Sequence, residues 1–143
     1  MTSLPVALIS GLASFIACQG WKVIRPVFSG KPPRPSEFLR SGGMPSAHTA
    51  FSASIALSAG FREGFDSSLF AVAAVLAAIV AHDAVKVRGT MNTIITVLRK
   101  AVPPDVLEGS DELPETIGHS VGEVIAGLAV AVFLAAVLHL LLP

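Results

Sequence analysis

Charge is scarce in this chain. Only 14% of its 143 residues are Asp, Glu, Lys or Arg, ten acids balance ten bases, and the formal net charge is zero. Such a balance makes no case for nucleic-acid binding. Cysteine is reduced to Cys18, which excludes a disulfide framework within one chain; its place in an apolar run reads as a small buried hydrophobe. Met1 to Ile9 carries no lysine or arginine, so the positive n-region of a secretory signal is missing, and the first apolar segment is expected to stay in the protein. What the chain has in quantity is apolar side chains, 52% of the total, with a mean hydropathy of +0.72. This reads as one integral membrane domain over residues 1–143, not as a soluble globule.

The expected fold class is all-α: a polytopic membrane helix bundle of about four transmembrane helices plus an interfacial amphipathic helix. A bilayer crossing usually needs about 20 apolar residues and can be made with about 17. Four segments qualify, roughly Leu4 to Trp21, Pro45 to Phe61, Ser68 to Val85 and Ile117 to Leu142. The second and third are short and rich in alanine and serine, so either little tilt or partial shielding by the other helices is expected for them. Small residues recur every fourth position at Ala50, Ser54 and Ser58, and again at Gly118, Gly122 and Ala126, which predicts faces where helices approach closely. Between Lys86 and Lys100, the spacing of Val87, Met91, Ile94, Ile95 and Leu98 predicts an amphipathic helix at the interface. An acidic loop from Asp105 to Glu115 follows.

If all four segments cross, the loops 22–44 and 86–116 share one face, and that face holds nine of the ten basic residues. The positive-inside rule puts it in the cytoplasm, with both termini opposite. The first of these loops contains Pro32, Pro33 and Pro35 and otherwise reads as a basic segment lying on anionic lipid heads.

The same face collects the chain's chemistry. Arg40-Ser41-Gly42-Gly43-Met44-Pro45-Ser46-Ala47-His48 is a glycine turn running into an uncharged helix. Pro45 is expected to open that helix, leaving first-turn N–H groups at the positive end of the helix dipole. Gly42 and Gly43 let the backbone approach an anion, Ser46 offers a hydroxyl and His48 a proton. An ordinary capped helix start is the plain alternative. His82 and Asp83 lie near the end of the third segment, and His119 and Glu123 near the start of the fourth. Four residues apart, His119 and Glu123 share one side of a helix, where a carboxylate can hold one ring nitrogen and make the other a better nucleophile. Asp83 with Lys86 or Arg88 reads equally well as an interfacial ion pair. A cation site from His48, His119, Glu123 and Asp83 is chemically open, but the helix start and the basic surplus favour phosphate over metal; no metal and no cofactor are expected.

These residues carry a resemblance. Ser41-Gly42-Gly43-Met44-Pro45-Ser46-Ala47-His48 is similar to the S-G-G-M-P-S-S-H signature of the divergent type-2 phosphatidic acid phosphatase family, also described as acid phosphatase/vanadium-dependent haloperoxidase-related. Asp83-Ala84-Val85-Lys86-Val87-Arg88 resembles its D-A-x-G-V-R segment, with lysine where glycine is usual. Gly118-His119-Ser120-Val121-Gly122-Glu123-Val124 resembles G-H-T-x-x-E-V. The resemblance implies that His48 is the general acid, His119 the nucleophile and Glu123 its orienting carboxylate. Lys22, Gly42, Gly43, Ser46 and Arg88 would bind phosphate, with Arg34, Arg40 and Asp83 in support. Two features of the wider superfamily are absent: Leu113 stands where an arginine precedes the nucleophilic histidine by six residues, and no lysine is correctly spaced before Arg25-Pro26 or Arg34-Pro35. Superfamily cores also commonly use six helices.

The implied activity is a metal-independent membrane phosphatase, acting on a lipid or isoprenoid phosphate monoester or diphosphate through a phosphohistidine. The alternative is a non-catalytic membrane protein that binds phospholipid head groups, as a transporter, scaffold or assembly factor. A haloperoxidase reading is weaker, since no residue points to peroxide chemistry. Expected partners are the phosphorylated substrate and membrane lipids, and a homo-oligomer in which a second copy completes the packed core.

Overall fold

The structure is a computed structural model and describes residues 5–39, 42–102 and 118–142. Arg40, Ser41, the acidic loop and Leu113 lie outside the described residues. Five α-helices are present among them: α1 (Val6–Ile24), α2 (Ala47–Glu63), α3 (Ser68–Val85), α4 (Val87–Ala101) and α5 (Val121–Leu141). Two short 3-10 turns, Arg25–Ser29 and Pro35–Phe38, lie between α1 and α2.

The third segment falls on its expected bounds, and the others differ at their ends. α1 runs past Trp21 to Ile24, which makes Lys22 a helical residue, not an exit. α2 starts at Ala47 with Ser46 as N-cap, so Pro45 precedes the helix instead of opening it; the Met44–Pro45 peptide is cis. α5 starts at Val121 because Ser120 caps it: the Ser120 Oγ accepts from the Glu123 N–H, and the Glu123 carboxylate accepts from the Ser120 N–H. This Ser-x-x-Glu capping box satisfies two N-terminal donors at once.

Helix α2 is the centre of the bundle, packed against α1, α3 and α5. Its composition follows from that position. Ala50, Ala53, Ser54, Ala56, Ser58 and Ala59 are all buried, because neighbouring backbones come too close for larger side chains. Ser54 Oγ hydrogen-bonds with Ser14 Oγ at 2.5 Å and donates to the Ala131 carbonyl at 3.4 Å, which ties α2 to both α1 and α5. The α5 packing face is Val124, Gly127, Ala131 and Ala135, not the expected Gly118, Gly122 and Ala126. Gly122 is exposed, and a Cβ there would meet only the Ser120 Oγ, at 3.9 Å. At Gly127 a Cβ would stand 2.5 Å from the Ser46 carbonyl oxygen, so this is the glycine that the α2–α5 approach requires.

Among the described residues, three stretches are long and apolar enough to cross a membrane: Val6–Ser29, Ser68–Ala101 and Val121–Leu141. They expose large apolar side chains, Leu69, Val72, Leu76 and Ile79 on α3 and Ile125, Val132 and Phe133 on α5, as lipid contact requires. The 17-residue α2 is surrounded by these helices and does not rely on its own hydropathy. The molecule is thus a helical membrane bundle, with three stretches among the described residues, where four were expected, meeting the apolar criterion. α4 carries the predicted stripe, with Val87, Met91, Ile94 and Leu98 exposed and Ile95 buried. At the end remote from His48 and His119, Arg62 donates to the Leu142 carbonyl and His139 stacks on Phe61.

Candidate functional site

Four helix ends build one polar end of the bundle. On α1 the buried positions Ser10, Ser14, Cys18 and Lys22 recur every fourth residue, one stripe that faces α2 and α5. Lys22 is the last of them. The packing that buries Cys18 also holds the Lys22 ammonium against the glycine turn, where Nζ donates to the Gly42 carbonyl at 2.8 Å. Gly42 and Gly43 have φ of 85° and 75°, left-handed conformations open to glycine at little cost. The lysine therefore pins a turn that only this residue type readily makes.

The turn delivers the chain to α2. The Ser46 N–H donates to the Glu123 carbonyl at 2.9 Å, so α2 begins where α5 begins. Ser46 is fully buried and its hydroxyl shares a 3.0 Å hydrogen bond with Thr49, which makes it a packing residue behind the site and not one of its exposed donors. His48, one residue inside the helix, is exposed and lies edge-on to Phe15 with ring centroids 6.0 Å apart. It is close enough to Arg88, His119 and Lys22 to interact electrostatically with all three.

His119 is placed from two sides. Its N–H donates to the Ala84 carbonyl at 2.9 Å, one of the last carbonyls of α3. Beside it, Gly118 lies so close to the start of α4 that a Cβ would stand 2.7 Å from the Gly89 nitrogen. His119 precedes the Ser120 cap and lies outside α5, so it does not share a helix face with Glu123 as expected; instead the carboxylate turns back past the cap, with Nδ1 3.1 Å from Glu123 Oε2, the same oxygen that accepts from the Ser120 N–H at 3.0 Å. The carboxylate is thereby fixed by the helix cap and in turn fixes the ring, with the side chain of His119 only 3% exposed. Burial lowers the His119 pKa below the usual histidine value; the hydrogen bond and charge of Glu123 oppose the shift, and Lys22 and Arg88 add to it.

Arg88 and Asp83 form the ion pair considered above, Nε to Oδ2 at 3.0 Å, about one-third exposed. The bond is made through Nε, so an incoming oxyanion would be met by the terminal Nη groups. His82 is exposed. Arg34 belongs to the 3-10 region beside Lys22 and lines a cleft with it, away from the histidines. Arg40 lies outside the described residues. Among the described residues, no three His, Cys, Asp or Glu side chains are grouped as metal ligands.

Residues 5–134 match the family described as the Divergent PAP2 family. The chain belongs to that family. It is also 36% identical over 102 residues to the uncharacterized membrane protein YuiD of Bacillus subtilis (strain 168). The match covers 71% of this chain and 63% of that relative, so the chain spans less than two thirds of its length. No solved structure matches. Within this Divergent PAP2 bundle, Lys22, Gly42, Gly43, His48, Arg88, His119 and Glu123 all come to one end. Reasoning from sequence missed Ser120, Thr49 and Gly127. Ser120-Val121-Gly122-Glu123 ahead of an apolar run was a legible capping-box signal; Thr49 and Gly127 carried none, since their roles depend on which helices meet.

Proposed function

We propose that this membrane protein is a metal-independent phosphatase acting on a lipid or isoprenoid phosphate through a phosphohistidine. The observation that carries the reading is the His119–Glu123 pair. A phosphate binder needs no oriented imidazole, whereas a nitrogen nucleophile needs one ring nitrogen held so that the other keeps its lone pair. His119 Nε2 attacks phosphorus in line, forming the N–P bond as the P–O bond to the leaving group breaks. His48, as imidazolium, gives its proton to that leaving oxygen. Water then attacks the phosphohistidine, its proton passes to His48, and the N–P bond breaks to release phosphate. Lys22, Arg88, the glycine turn and the first-turn N–H groups of α2 stabilise the equatorial oxygens, the largest expected contribution.

A competing reading has one observation in its favour: the Ser120–Glu123 capping box gives Glu123 a structural reason to exist. The chain would then bind phospholipid head groups without turnover. Phosphate release by detergent-purified protein from phosphatidate, phosphatidylglycerophosphate and polyprenyl phosphates separates the two. The enzyme releases phosphate from at least one and is inhibited by vanadate, a mimic of the five-coordinate state; folded protein that binds these lipids and releases nothing is the binder.

The pH profile gives a finer check. With its pKa lowered, His119 stays neutral and nucleophilic below the usual histidine range, so the acid limb of kcat/KM set by this group lies on the acid side of about 6.5. Glu123→Gln removes the charge that raises this pKa. The limb set by His119 should move further to the acid side while the maximal rate falls through lost orientation. A limb that moves towards neutral pH would contradict the assignment.

For orientation, the site-bearing end is assigned to the cytoplasmic side and the termini to the opposite side. Accessibility of a tag at each terminus in intact cells checks this, and protected, cytoplasmic termini would reverse it.

A further inference from the structure

Helix α4 has the least support of any helix in the bundle. Of its 15 residues only Ile95 is buried, and among the described helices its substantial packing is with α3. A helix of that length is marginal on its own propensity, so its order comes from what its side chains meet. Its two sides meet different things. On the side of the site, Arg88 reaches back across the junction to Asp83 of α3, and the Gly118 N–H donates to Asn92 Oδ1 at 3.4 Å. The Gly118 backbone also lies against Arg88 and Gly89, with no room between them for a Cβ. Gly118 leads directly into His119, so α4 backs the stretch that carries the proposed nucleophile. The other side of α4 presents Val87, Met91, Ile94 and Leu98, each between 44% and 56% exposed.

Position and charge say what covers that apolar side. The 18 residues of α3 rise about 27 Å at 1.5 Å each, close to the hydrocarbon thickness of about 30 Å, so Lys86 stands where α3 leaves the bilayer. α4 begins at the next residue. Residues 86–101 contain Lys86, Arg88, Arg99 and Lys100 and no acid. A basic amphipathic helix that starts at the membrane boundary seats its apolar side below the head groups of an anionic leaflet. We propose that α4 docks on the bilayer surface, with Val87, Met91, Ile94 and Leu98 in the acyl boundary and Lys86 and Lys100 among anionic head groups, and that this seating holds Arg88 and the Gly118–His119 backbone in the geometry of the site. Away from such a surface α4 loses the contact that orders its outer side, and Gly118 and Arg88 lose their support with it. The bilayer then acts as an activator separate from the substrate, and it raises turnover even of a soluble phosphate ester that needs no delivery from the membrane. That consequence rests on the phosphatase reading; the seating and its hold on Gly118 do not.

The experiment places the full chain in phosphatidylcholine nanodiscs with and without phosphatidylserine. Seating is read in the phosphatidylserine discs with a nitroxide on Ile94→Cys and, separately, on Thr93→Cys, each in a Cys18→Ser background because Cys18 is the chain's one cysteine. Position 94 is expected to be open to oxygen and closed to a water-soluble nickel chelate, and position 93 the reverse. Chelate reaching both positions overturns the seating. So does spin–spin broadening at position 94 that vanishes on dilution with unlabelled chain, which would put a second copy there. Coupling is read from amide exchange at Gly118 and His119 and from kcat with p-nitrophenyl phosphate. In Met91→Asn/Ile94→Asn protein, exchange is expected to quicken and kcat to fall by about tenfold, an ordinary size for coupling between sites. Met91→Leu/Ile94→Leu protein should match the wild type, and unchanged exchange within α5 shows that the bundle is folded. Omitting phosphatidylserine should act in the same direction as the asparagine variant, and Lys86→Gln/Lys100→Gln protein should no longer respond to that lipid. Wild-type exchange in the asparagine variant, or a lipid response that survives the glutamine variant, overturns the coupling. Exchange that shifts as expected while no phosphate ester is hydrolysed retains the role of α4 and defeats the phosphatase.

Discussion

His119→Ala is expected to lower phosphate release by about 10⁴-fold or more, the scale of removing a covalent nucleophile. The loss should appear in kcat, because the bond His119 makes exists only along the reaction path, while lipid binding through Lys22, Arg88 and the glycine turn persists. The alternative role predicts the opposite pattern: the side chain is 3% exposed, so its removal would loosen the junction of α3 and α5 and change stability before it changed any rate. Two controls separate these outcomes. On the phosphatase reading, His48→Ala removes the general acid, worth about 10² to 10⁴-fold, and should cost most with poor leaving groups and little with activated ones such as p-nitrophenyl phosphate. Acid-labile phosphate trapped on the wild-type chain and absent from His119→Ala protein would identify the nucleophile directly. Full turnover by folded His119→Ala protein would eliminate the mechanism.

The second large effect concerns packing. Gly122 lies in the first turn of α5 and Gly127 in its interior, and helix propensity alone favours alanine at both, by about 0.5–1 kcal/mol at an interior position. Their surroundings are opposite. At Gly122 a methyl group meets only the Ser120 hydroxyl at ordinary contact distance, so Gly122→Ala is expected to hold or raise the thermal midpoint. At Gly127 it meets the Ser46 carbonyl oxygen at 2.5 Å, backbone against backbone, and neither side can rotate away. Gly127→Ala is therefore expected to destabilise by about 1–3 kcal/mol, the usual cost of overpacking. It should also impair activity, because Ser46 leads directly into His48. Thermal unfolding of the two variants in the same detergent tests the contrast, and equal midpoints would mean that α2 and α5 do not approach as described.

Most of the helices were legible because apolar runs and their interruptions are local properties. Ser68–Val85 needed only its hydropathy and a serine cap at Ser67. The amphipathic stripe of α4 was readable for the same reason, as was the burial of Cys18. The pair His119 and Glu123 was legible from its spacing but not for the expected reason: His119 stands one residue before the Ser120 N-cap, outside α5, and the two meet because the Glu123 carboxylate turns back onto the cap. The sequence motifs that point to the Divergent PAP2 family are likewise local strings.

What depended on meeting surfaces was not legible. The expected stripe of Gly118, Gly122 and Ala126 has the right spacing, yet α5 packs through Gly127, Ala131 and Ala135, four-residue spacing that is equally present in the sequence. Periodicity says that a face exists and leaves open which face a neighbour takes. Ser46 looked like a phosphate donor from its place at a helix start, and the α5 backbone buries it. That α2 needs shielding was readable from its short alanine- and serine-rich run, but which helices surround it was not.

By itself, then, the sequence determined the membrane class, the helical segments, the histidine–carboxylate pair and the family, since each is encoded within one turn or one run of residues. Only the tertiary structure decided that Lys22 is buried against the Gly42 carbonyl, that His119 hangs from Ala84, and that the basic loop folds into a cleft beside an apolar groove. Each of those contacts joins residues at least 20 positions apart or requires a particular loop path. Their geometry comes from close packing of whole helices, which no local pattern records.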